Sequence, residues 1–291
     1  MPRQTHETVL TEVVPTGEIE VAYRRFGKRG APPLLLLNYF AANMDDWDPE
    51  ITNGFAETRD VIIFDYPGVG RSTGTNPSTV AKMTKDVVAF CRAVKLASFD
   101  IIGFSLGGMI AQQLAVEHPD MLRRVILLGT GPRGGEDLTF ADLSVDELDD
   151  PVALTLHALF TPSETSQTAG RAYLKRLKVR TADKDKPVSK QAATAQLETI
   201  REWGIIPAEN RYAMLGQIQH PTLIVHGTKD VVVAPINAFI MAEHIPNAQL
   251  IMYPDASQPR IPNTLTSSCS TLGCFWTVEL ESQPSKRSKR M

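Results

Sequence analysis

Short apolar runs punctuate this chain, and between them the apolar positions spread out to helical spacing. Residues 34–37 are four consecutive leucines, 61–64 read Val-Ile-Ile-Phe, and 125–128 read Val-Ile-Leu-Leu. Uninterrupted runs of this length predict strands buried on both faces. Shorter runs at 99–102, 223–225 and 250–252 predict three more. Ahead of them, 9–14 and 19–26 read as two strands around the Pro15-Thr16-Gly17 turn. Helices are expected at 79–96, 107–117, 154–160, 172–177 and 192–203. Such alternation predicts an α/β fold, a mostly parallel sheet flanked by helices. No internal repeat is visible.

The stretch between Gly131 and Pro221 breaks the alternation. It holds acidic turns at 142–150 and a charged segment at 180–186 among its helical stretches. A structureless loop of that length is improbable in a compact domain. The expectation is a helical cap inserted over the sheet edge, where it covers a site. Phe160, Trp203 and Met214 either line a pocket there or fill the cap's own core. The expected organisation is a first core part at 8–131, the cap at 132–215, a second core part at 216–258 and a divergent tail at 259–291.

Composition narrows the partners. A formal net charge of −3 gives no electrostatic case for nucleic acid or an anionic membrane. No apolar run reaches transmembrane length. The polar start, residues 1–7, has no signal core, so a cytoplasmic location is the expectation. With 43% apolar residues in 291, the chain can bury a full core. Of three cysteines, Cys91 reads as a small buried hydrophobe, and Cys269 and Cys274 have no nearby histidine to suggest a metal. No dinucleotide fingerprint is present, so neither cofactor nor metal is expected, and the expected partner is a small-molecule substrate.

The candidate chemistry centres on Ser105, in Gly103-Phe104-Ser105-Leu106-Gly107. A strand precedes this G-x-S-x-G pentapeptide and a helix follows it. A sharp strand-to-helix turn exposes the hydroxyl, and its glycines make room for the strain. The helix N-terminus offers backbone N–H groups to a developing negative charge. The alternative is a plain strand–helix turn.

The serine turn, the run from Asp65 to Ser72 (Asp-Tyr-Pro-Gly-Val-Gly-Arg-Ser) and His226-Gly227-Thr228-Lys229-Asp230 together resemble the α/β-hydrolase superfamily, in its cap-bearing esterase and haloperoxidase-like group. The resemblance runs over about 9–255. It implies a chain order of Ser, then Asp or Glu, then His. On that pattern Ser105 is the nucleophile and Asp230 the acid that orients the base, with Glu136 in reserve. The backbone N–H groups of Leu106 and Phe40 form the oxyanion hole. Where relatives carry His-Gly-x, this chain reads Asn38-Tyr39-Phe40; Asn38 is expected to hydrogen-bond within the loop and fix it.

The same resemblance places the catalytic histidine after the last strand, and there the chain has Gln258. Glutamine does not titrate and cannot take the serine proton. His6 (in the N-terminal tail), His118, His157, His220, His226 and His244 are poor substitutes by position. Of these, His226 lies nearest the acid and reads as a loop support. Beyond Gln258 no helical apolar stripe is visible, and the Ser- and Thr-rich composition predicts a weakly ordered tail. A frame change, a retained intron, an alternative splice or a degenerate paralogue would each produce this change of character. Three functions remain open: a hydrolase of small esters or lactones, an impaired pocket-binding relative, and a cyclase or lyase of small-molecule biosynthesis (secondary metabolism).

Overall fold

The computed structural model describes residues 4–138, 145 and 150–258. β1 (Glu12–Thr16) and β2 (Ile19–Gly27) form a hairpin, and β2 runs antiparallel to β4 (Asp60–Phe64). From β4 onward the sheet is parallel, through β3 (Pro33–Leu37), β5 (Phe99–Phe104), β6 (Leu122–Leu128), β7 (Thr222–Gly227) and β8 (Ala248–Tyr253). The order is β1-β2-β4-β3-β5-β6-β7-β8. The apolar runs occupy the middle, as their composition requires. Every residue of β4 and β5 is buried.

Alternate residues of these strands feed two cores, because successive side chains leave a strand on opposite faces. Leu35, Leu37, Ile62 and Ile101 join the core shared with α2 (Val80–Ala93) and α3 (Leu106–Glu117). Leu34, Leu36, Ile63 and Ile102 join the other, with Trp47 and with Phe55 of α1 (Pro49–Ala56). The connection from β6 to β7 carries α4 (Pro151–Leu159), α5 (Glu164–Arg176) and α6 (Lys190–Gly204), and α7 (Ile236–His244) joins β7 to β8. The α/β architecture follows the expectation.

Several local readings change. β1 begins at Glu12 because residues 5–9 form a turn, closed by Val9 N–H donating to Thr5 O at 2.9 Å. His6 is no tail residue. It is buried, with Nδ1 2.9 Å from Thr52 Oγ1 and its N–H donated to Asn53 Oδ1. Burial drives its imidazole down to about 4. Segment 43–56 holds two helical pieces: a 3₁₀ turn at Met44–Asp46 in an Asn43 capping box, then α1 capped by Asp48. The expected tail at 259–291, with Cys269 and Cys274, and most of the acidic turns lie outside the described residues.

The strap between α5 and α6 is fastened to the sheet by buried ions. Arg24 of β2, fully buried, donates to Asp45 and to Asp185 at 2.6 Å each, and to Asp183 O at 3.2 Å. Asp185 N–H donates to Asp45 Oδ2, and Arg180 donates to His6 O. Nearby, burial and the Asp185 charge hold the Asp65 carboxyl well above its ordinary range.

Candidate active site

Ser105 sits where β5 turns into α3, with φ +50° and ψ −113°. A non-glycine residue with positive φ is strained and persists only when its surroundings fix it. Here they do. Ser105 N–H donates to Leu128 O at 2.9 Å, and Ser105 O accepts from Thr130 Oγ1 at 2.8 Å and from Gly108 N–H. The flanking glycines are steric necessities: a Cβ on Gly103 would strike the Gly107 carbonyl, and one on Gly107 would strike Leu37 O. The turn therefore has one conformation, and it presents the hydroxyl into a cavity.

Leu106 is the first residue of α3, so its N–H has no intrahelical acceptor. Across from it the 38–41 loop brings Phe40 to the same cavity wall. This loop is held differently from expectation. The Asn38 side chain is buried and has no hydrogen-bond partner among the described residues, so it does not pin the loop. Gln196 of α6 does: its Oε1 accepts Ala41 N–H at 2.7 Å, and Ala41 has φ +55°. Tyr39 packs on Phe104, with ring centroids 4.9 Å apart, and its hydroxyl is 3.3 Å from that of Tyr173. Nothing in a lone helical glutamine flagged Gln196 from sequence.

Asp230 lies in the turn after β7, buried. Its Oδ1 accepts the N–H groups of Val232 and Val233 at 2.8 and 2.9 Å. Its Oδ2 is buried without a hydrogen bond among the described residues, although His226 Nε2 is 3.1 Å away. That nitrogen is bonded instead to Val233 O at 2.9 Å. A carbonyl only accepts, so Nε2 carries the proton and cannot receive one. His226 is thus a support of its loop, as its position suggested. Among the other histidines, exposed His157 does not line the cavity, and Glu136 is engaged by Arg211 and Tyr212.

Gln258 is buried and lines the same cavity as Ser105 and Phe40; Asp230 does not line it, but Val232 does. Among the described residues, Gln258 makes no hydrogen bond to Ser105 or Asp230. The cavity holds about 520 Å³, a size that suits a small organic ligand. Leu154, Ala158 and Leu159 of α4 and Leu174 of α5 make its apolar walls. Asn43, Asp45, Asp46 and Asp185 make a polar end, where burial raises the Asp46 acid to about 6. Phe160 lines a side chamber of about 50 Å³; Trp203 is in the core and Met214 packs against it. Among the described residues no cluster of acidic, histidine or cysteine side chains could hold a metal, and no helix is long and apolar enough to cross a membrane.

This arrangement has counterparts. The α/β hydrolase fold family matches residues 32–258. An α/β hydrolase fold protein from Chitinophaga pinensis is 39% identical, with a TM-score of 0.82 over 87% of this chain and 92% of that one. A pimeloyl-[acyl-carrier protein] methyl ester esterase from Nitrosomonas europaea is 25% identical over 77% of this chain and 87% of its own length. A 3-oxoadipate enol-lactonase of Acinetobacter baylyi is 25% identical over 80% and 84%. The relatives thus include esterases and lactonases of small molecules.

Proposed function

The chain belongs to the α/β-hydrolase family, and we propose that it is a serine hydrolase of a small carboxylic ester or lactone working without its triad base. Ser105 is the nucleophile, the N–H groups of Leu106 and Phe40 receive the oxyanion, and Asp230 is the acid whose partner is missing. The helical segment at 132–215 acts as the cap over the site. The observation that carries this reading is the strained Ser105 turn opening into the 520 Å³ cavity beside Phe40. Strain of that kind is a feature of sites where a hydroxyl must be presented to a ligand.

Gln258 sets the rate. With no base to take its proton, the serine attacks slowly, and what remains is the effect of oxyanion stabilisation and binding, about 10³ to 10⁴ over water. Among the described residues Asp230 Oδ2 receives no hydrogen bond, from Gln258 or any other group, and this favours a second reading, in which the same cavity binds its ligand without turnover. Hydrolysis of short-chain aryl esters by the purified chain, with Ser105→Ala as reference, separates the two. A slow rate abolished in the variant supports the hydrolase; a rate equal to the variant's leaves only binding. A fast, intact-enzyme rate abolished in the variant would mean that another base has been recruited.

A further inference from the structure

The strap between α5 and α6 has two faces. Inward, Arg180, Asp183 and Asp185 are taken up by the buried ion network with Arg24 and Asp45. Outward, Lys178 and Lys184 line the Ser105 cavity, and among the described residues neither ammonium has an ion-pair partner. The carboxylates on the cavity wall cancel only one of them. Asp45 and Asp185 are bound to Arg24, while Asp46, whose Oδ2 accepts Asn43 N–H, lies in the field of Lys184. Positive charge is therefore left in excess on an anchored strap, beside the apolar walls from α4 and α5. A cavity lined by one sign of excess charge, with low-dielectric walls, concentrates the opposite charge.

We propose that this cavity takes an anionic amphiphile, a small carboxylate-bearing acyl compound. Its chain lies against Leu154, Leu159 and Leu174, and its carboxylate lies between Lys178 and Lys184. This rests on the reading of the cavity as the substrate site, but not on turnover. The strap matters because a cation held on a fixed segment needs less ordering when the anion arrives.

Calorimetric titration of the full chain with octanoate, octanamide and octylammonium tests this, with Ser105→Ala run alongside. Octanoate is expected to bind at least ~10-fold more tightly than octanamide, in both proteins, and less so at high salt. The double variant Lys178→Ala/Lys184→Ala loses that preference and keeps its affinity for octanamide; Lys178→Arg/Lys184→Arg retains the preference. No octanoate binding, parity with octanamide, tighter binding of octylammonium, or a double-alanine loss shared equally by octanamide each overturns the proposal. Ester turnover is read separately. Octanoate preference without turnover sinks only the hydrolase reading, and turnover without the preference sinks only this one.

Discussion

The two halves of the candidate site are built to different standards. Around Ser105 everything is fixed twice over: the backbone by Leu128 and Thr130, the space by glycines, the facing loop by Gln196. Around Asp230 one carboxylate oxygen is doubly bonded and the other, 3.1 Å from His226 Nε2, has no hydrogen bond among the described residues, while Gln258, an untitratable amide, lines the cavity. The first half is made of backbone geometry. The second depends on one side chain brought in from a different loop. A single residue change can therefore empty the second while the first stays intact.

The largest test of this contrast is a chimera. Replacing the chain from Gln258 onward with a Ser-His loop and closing helix of a relative should raise kcat/KM on aryl esters by about 10³ to 10⁴. A rise under tenfold would show that the Ser105 half is not competent either.

Next comes the rigidity of that half. Gly107→Ala forces a Cβ into Leu37 O, and should cost roughly 3 kcal/mol or more in urea unfolding. Asp230→Asn removes a buried charge but offers a poorer partner to its surroundings, so its change should stay under about 1 kcal/mol. Equal losses would erase the distinction between the halves.

A pH test follows. Burial raises Asp46 from an ordinary 3.8 to about 6, so the stability it contributes is present below pH 4 and lost as pH rises through 6. His6, lowered from 6.5 to about 4, has the opposite sign: its contribution is present above 6.5 and lost as pH falls to 4. Each is worth at most about 3 kcal/mol, and in the native chain they partly cancel. Asp46→Asn should therefore be more stable at pH 7 and lose stability more steeply on acidification, as melting temperatures at pH 7 and 4.5 will show. An unchanged slope would mean that Asp46 titrates normally.

The smallest expected effect is that of Gln258→His. A catalytic imidazole must be held between Ser105 and Asp230 within hydrogen-bond reach, and Pro259 and Pro262 restrict the backbone beside it. Less than about tenfold recovery is expected. Recovery matching the chimera would show that the loop was already organised.

What could be read in the sequence was what local pattern encodes. The leucine run, the other buried strands and the Ser105 turn follow from residues adjacent in the chain. Phe40 and Gln258, placed only by resemblance, do meet Ser105 at one cavity. Arg24 was invisible, because an arginine pair in a strand reads as an exposed edge. What allows its burial is Asp185, 161 residues away. His6 escaped for the same reason: Thr52 and Arg180 enclose it, and neither is near in sequence. Asn38 departs from expectation because a polar side chain in a loop ordinarily finds a partner, and among the described residues this one does not.

The strap also sets an order of events during synthesis. Its bonds to His6, Thr11 and Arg24 span 159 to 174 residues. At roughly 5–20 residues per second, the ribosome needs about 10–30 s to deliver Asp185 after Arg24 has emerged. For that interval Arg24 must remain hydrated, and β2 cannot settle into its final environment. The amino-terminal hairpin is thus made early and finished late. A nascent chain halted before residue 185 should expose it to protease, and release of the strap should seal it.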